Sequence, residues 1–245
     1  MDGIAVQIKR LTAVHPVLFI GTPCQTAGIR AAVPEKHQGN LFLIDLLCHG
    51  VPSPKALSDY FAYLAVKPHD VNFRDYTNSR WGGEYALTLK EAGKMVSHRF
   101  SKDLYLKAFL DNISLNACCA ECRYTSLDRV GDLSVGDFWG VDNILKDPRI
   151  TNRSSAPVGL LIQNNQKFAA LLNKIAASGQ FEFIECTKEE ACRSNEVLRT
   201  APKRSRHADM LQSLAAHINL FTGLRVYYFF KKLKSKIKHL KRRIF

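Results

Sequence analysis

Two short apolar runs near the start of the chain are each closed by a turn and followed by apolar residues at helical intervals. Val17 to Ile20 ends in Gly21-Thr22-Pro23, and Gln25 to Val33 then carries apolar positions every three or four residues. Leu41 to Leu47, broken only by Asp45, ends in Cys48-His49-Gly50 before a proline-rich turn and the helical stretch Pro54 to Leu64. Continuous apolar runs joined through a helix predict parallel strands covered on both faces. A right-handed crossover brings both strands out at one sheet edge, the carboxyl edge where open α/β sheets keep their ligands. Cys24 and Cys48 are expected at that edge.

Tyr85 to Leu89 and Met95 to Phe100 flank Gly93, which predicts a small antiparallel sheet within residues 71–100. Lys102 to Asn112 is helical in pattern, Asp132 to Trp139 alternates like a half-buried strand, and Pro157 to Ile162 gives another strand. Phe168 to Ser178 reads as an amphipathic helix stopped by Gly179, and Val226, Phe230, Leu233, Ile237, Leu240 and Ile244 recur among lysines and arginines as in a basic amphipathic helix. The expected fold is α/β: a mainly parallel sheet with flanking helices, a small antiparallel insertion and a C-terminal basic amphipathic helix. Residues 1–210 would form the main domain, with 71–100 as its insertion, and 211–245 the tail.

Composition narrows the class. With 245 residues and 46% hydrophobic content, the chain can bury a sizeable core. No stretch approaches the roughly 20 apolar residues of a membrane span, and MDGIAVQIKRLTAVHP lacks the pattern of a signal peptide, so a cytoplasmic location is expected. The net charge of +13 is concentrated at the end: from Leu211 to Phe245 there is no acidic residue, while Arg225, Lys231, Lys232, Lys234, Lys236, Lys238, Lys241, Arg242 and Arg243 contribute +9. Basicity belongs to the tail, and without a recognition motif it does not predict a nucleic-acid partner. For the tail two readings stand side by side: docking peripherally on an anionic membrane surface or an acidic partner, and packing on the body with a solvated basic face.

Seven cysteines in a large chain without an export signal favour reduced thiols that bind metal or do chemistry. Cys119 and Cys122 have the two-residue spacing that lets thiolates converge on one centre, and with Cys24 and Cys48 they make four. One close pair joined to two distant single cysteines favours an iron–sulfur cluster over a zinc ribbon, with zinc in a non-catalytic scaffold as the alternative, and a degenerate fragment binding neither as a third reading. Cys118, Cys186 and Cys192 read as inert thiols, Cys118 being the one placed to substitute as a ligand. Gly21, Thr22, Pro23 and Gln25 surround Cys24 as candidate cofactor contacts. His49 either tunes the cluster or bonds the turn backbone. Asp137 and Trp139, between Gly136 and Gly140, either wall a flat cofactor or anchor a buried strand end.

GTPCQTAG at Gly21 to Gly28, DLLCHGVPSP at Asp45 to Pro54, CAEC at Cys119 to Cys122 and RVGDLSVGDFWG at Arg129 to Gly140 together resemble the coenzyme F420 hydrogenase/dehydrogenase beta-subunit family. FRDY at Phe73 to Tyr76, FSKDLYLKAFLDN at Phe100 to Asn112 and SNEVLRTAPKRSR at Ser194 to Arg206 extend the likeness over about Ile20 to Arg206. The resemblance implies an oxidoreductase carrying a 4Fe-4S cluster and FAD or a related flavin, transferring electrons to a flavin or deazaflavin partner such as coenzyme F420. It also implies Cys24, Cys48, Cys119 and Cys122 as cluster ligands, and for bacterial relatives a link to polysaccharide synthesis. Family members usually begin with a cysteine-rich ferredoxin-like segment and a flavin-binding region. The chain starts just before GTPCQ, so a separate ferredoxin-like subunit is an expected partner. Asn116-Ala117-Cys118 stands where the family has arginine, proline and serine, and Tyr76 where it has lysine.

Overall fold

In a computed structural model, which describes residues 2–76, 85–151, 158–215 and 217–244, the chain divides into two compact units. The first comprises Met1–His49 and Cys122–Ala201, the second Gly50–Glu121 and Pro202–Phe245. No unit boundary falls at residue 210. Residues 77–84 of the expected insertion, Pro157, and the side chains of Lys236, Lys238, Leu240, Lys241, Arg242, Arg243 and Ile244 lie outside the described residues.

In chain order the helices are α1 (Asp2–Leu11), α2 (Pro23–Ala32), α3 (Pro54–Leu64), α4 (Leu104–Leu110), α5 (Ala117–Ala120), α6 (Val141–Ile144), α7 (Pro148–Thr151), α8 (Ala169–Ala177), α9 (Lys188–Ser194), α10 (Ala208–Leu214) and α11 (Leu220–Ile244). The strands are β1 (Val17–Gly21), β2 (Leu41–Leu46), β3 (Asp70–Asp75), β4 (Ala86–Glu91), β5 (Lys94–Arg99), β6 (Leu133–Asp137) and β7 (Gly159–Gln163).

The first unit holds a four-stranded sheet in the order β1-β2-β6-β7. β1, β2 and β6 run parallel, with Val17 opposite Leu41 and Ile44 opposite Leu133, and β7 closes one edge antiparallel to β6. On one face Leu41 and Leu43 are buried with Ile8 of α1 and Ile29 of α2, with Val17 and Phe19 packed against them. The other face of β1 corrects the sequence reading. Leu18 and Ile20 are 53% and 56% exposed, so the run is covered on one face only. An unbroken apolar run can therefore come from an edge strand with one face open, a case that periodicity does not separate from a doubly covered strand. β6 departs from alternation because Ser134 is fully buried beside Leu133 and satisfies polar partners rather than meeting water.

In the second unit β3, β4 and β5 form the expected antiparallel sheet. Ala92 (φ 46°) and Gly93 (φ 76°) turn β4 into β5 with both central residues left-handed, the backbone twist that suits a tight hairpin. Leu87 and Leu89 pack with Tyr60 of α3, Tyr105 of α4 and Phe221 of α11. α3 starts at Ser53, whose hydroxyl accepts the Ala56 amide at 3.2 Å, has Pro54 at its first position, and stops at Ala65 in the left-handed region. α11 is longer than the tail periodicity indicated, because Leu220, Phe221 and Leu224 begin it and are buried in this core.

Candidate functional site

In the first unit the carboxyl ends of β1, β2 and β6 meet one sheet edge, and the segments leaving them carry most of the sequence-predicted residues. β1 ends at Gly21, where an added Cβ would stand 2.8 Å from the Phe19 ring. Thr22 caps α2 from an extended conformation, Pro23 takes the first turn, and the Thr22 amide donates to Gln25 Oε1 at 3.0 Å. Cys24 is exposed in the first turn of α2, with its Sγ 3.2 Å from the Thr22 hydroxyl. The positive end of the helix dipole makes this a favourable place for negative charge. Cys48 follows β2 by two residues and is half-buried, with His49 behind it.

At the end of β6, Gly136 passes so close to Leu47 that an added Cβ would stand 2.7 Å from the Leu47 Cβ. Asp137 accepts at its carbonyl from Asn195 Nδ2 at 2.9 Å. Phe138 turns inward, Trp139 is 44% exposed, and Gly140 holds φ 66° at the start of α6.

Beneath this edge lies a polar network that the sequence reading missed. Asp45, fully buried, pairs with Arg129, whose side chain is 2% exposed. Arg129 also donates from Nη1 to the Tyr124 carbonyl at 3.0 Å, from Nη2 to the Leu46 carbonyl at 3.2 Å and from Nε to Ser134 Oγ at 3.2 Å. The second Asp45 oxygen accepts the Gly131 amide at 2.7 Å. The segment that begins at Cys122 is thereby tied to the end of β2, two residues before Cys48. Beside it, burial works against the charged form of Asp132. Hydrogen bonds from Arg30 at 2.9 Å, Asn165 at 2.8 Å and the Leu43 amide at 2.8 Å outweigh it and hold the carboxyl below its usual range. A signal was present: a carboxylate inside an apolar run needs a buried partner.

A cleft of about 400 Å³ in the same unit is lined by Arg129, Leu161, Asn164, Cys186 and Lys188 among others, and by none of the predicted ligand cysteines. Burial and then Glu190 push the Cys186 thiol up, which keeps it in the neutral, inert form.

In the second unit Gly50 adopts φ 140°, and an added Cβ there would stand 3.0 Å from Leu115 and 3.3 Å from the Cys119 Cβ. The Val51 amide donates to Cys119 Sγ at 3.4 Å, while the Val51 carbonyl accepts the Asn116 amide at 3.0 Å. Cys119 is half-buried against this turn and Cys118 is exposed.

Of the four predicted ligands, Cys24, Cys48 and Cys122 belong to the first unit and Cys119 to the second. Four thiolates are the donor set of an iron–sulfur centre. Among the described residues, however, no three His, Cys, Asp or Glu side chains converge closely enough to hold a metal ion.

Comparison with known proteins adds to this. The family model for the C terminus of the coenzyme F420 hydrogenase/dehydrogenase beta subunit matches residues 14–189. No curated protein matches the sequence. Among solved structures, a chain of the xenon-derivatized F420-reducing nickel–iron hydrogenase complex from Methanosarcina barkeri is similar, with 15% identity and a TM-score of 0.44 over 87% of this chain and 67% of that one.

Proposed function

This chain belongs to the coenzyme F420 hydrogenase/dehydrogenase beta-subunit family, in its C-terminal part, and from that premise we propose that it is an electron-transferring oxidoreductase component. It would act with a flavin or deazaflavin carrier and with redox partner subunits, a cysteine-rich ferredoxin-like one among them. Cys24, Cys48, Cys119 and Cys122 are proposed as iron–sulfur ligands, and Gly21, Thr22, Pro23, Gln25, His49, Asp137 and Trp139 as cofactor contacts. The observation that carries this reading is the family match combined with the strand order: the Cys24 and Cys48 segments leave adjacent parallel strands at one sheet edge, next to the Asp137–Trp139 segment. The reading rests on the chemistry of the thiols and on that shared edge.

The test is anaerobic purification of the full chain and reconstitution with iron and sulfide, read by visible absorption, electron paramagnetic resonance and elemental analysis. About four iron and four sulfide per chain are expected, lost on Cys24→Ser, Cys48→Ser, Cys119→Ser or Cys122→Ser and kept on Cys192→Ser. One zinc per chain without sulfide would select the zinc-scaffold reading. A colourless protein that takes up neither metal would overturn both. Flavin contact is tested separately by quenching of FAD or coenzyme F420 fluorescence, which Trp139→Ala is expected to weaken.

A further inference from the structure

α11 carries two apolar faces on opposite sides. Leu220, Phe221 and Leu224 are buried in the core of the second unit. Farther along the same side, Tyr228 Oη and Lys231 Nζ reach the Asp111 carboxylate at 3.1 and 3.0 Å, and Lys107 Nζ lies 4.3 Å from the centre of the Tyr228 ring. At about 100° per residue, Val226, Phe229, Phe230, Leu233 and Ile237 fall on the other side. They are between 43% and 64% exposed. Ile218, 46% exposed, extends the stripe, since its Cδ1 lies 3.8 Å from where a Cβ on Gly223 would stand. The helix uses one side to hold the unit and turns the other away from it.

We propose that this outward stripe attaches the protein to an anionic lipid surface. At the same helical spacing, Lys234 falls on one flank of the stripe and Arg225 and Lys232 on the other, all exposed, and no acidic residue occurs from Leu211 to Phe245. An apolar strip bordered by lysine and arginine matches an interface in which rings and aliphatic chains enter the acyl boundary while cationic heads stay at phosphate level. Nucleic acid would use the charge and leave the apolar strip in water. The inference stands apart from the electron-transfer reading, because it uses no cysteine and no cofactor contact.

Flotation of the full chain, without cluster reconstitution, with vesicles of phosphatidylcholine alone or mixed with phosphatidylglycerol tests it. Co-flotation is expected only with the mixed vesicles and is expected to weaken with salt. The Phe230→Glu/Leu233→Glu double variant should lower binding by about tenfold or more, and Lys232→Glu/Lys234→Glu should lower it too. Both pairs are exposed, so thermal unfolding and circular dichroism should match the parent. Failure to float at low salt, or equal flotation of the Phe230→Glu/Leu233→Glu variant, overturns the proposal. So does self-association or capture of an acidic protein that the same substitutions abolish while vesicles remain unbound.

Discussion

Arg129 illustrates what a single side chain decides. Its guanidinium neutralises a fully buried carboxylate and donates to one backbone carbonyl in the Cys122 segment and one at the end of β2. Arg129→Met removes the ion-pair partner of the buried Asp45, and a loss of about 3–5 kcal/mol is expected in urea unfolding. Asp45→Asn/Arg129→Met should recover part of that loss, since neither partner is then an isolated charge. Asp132 makes a pH prediction. Its carboxyl sits below its ordinary value of 3.8, so its stabilising contribution is complete above the unfolded value and is lost as pH falls through the folded one. Asp132→Asn is expected to cost about 2 kcal/mol at neutral pH, kept modest by the part-exposure of Arg30, and to flatten the stability decline below pH about 4. Thermal melts across the acid to neutral range check both.

Elements were legible where their signals are local. α3 follows its capping serine and first-turn proline, and its residues coincide with the sequence expectation. The β4–β5 hairpin was marked by Gly93. Elements set by distant neighbours were less so: β7 begins at Gly159, and its direction follows from pairing with β6. The approach of β6 to Leu47 is of this second kind. Gly136→Ala drives a Cβ into a side chain whose own Cβ is in the way, and about 1–3 kcal/mol should be lost. The shift would fall at the strand end that carries Asp137 and Trp139, so flavin quenching should weaken as well. A lower melting temperature with unchanged quenching would separate packing from that role.

For the whole chain, α11 changes the reading of the tail. Its first turns fill a core with Tyr60, whose hydroxyl donates to the buried Asp103 carboxylate that in turn caps α4 through the Leu106 amide at 2.8 Å. Burial and then Asp103 hold the Tyr60 proton well above the ordinary range. Removing residues 220–245 should therefore unfold the second unit, seen as rapid proteolysis within 50–121, whereas removing 238–245 should leave it intact. No described helix is long and apolar enough to cross a membrane.

Local patterning was enough to establish the alternation of strand, turn and helix, the shared carboxyl edge of β1 and β2, and the basic end, because periodicity, caps and charge act over a few residues. Packing between remote segments settled the rest: that β1 leaves a face open, that Asp45 meets a partner 84 residues away, that each unit is closed by a returning segment, and which side of α11 is used. Those outcomes depend on which surfaces meet when the chain comes back on itself, and no short window of residues encodes that.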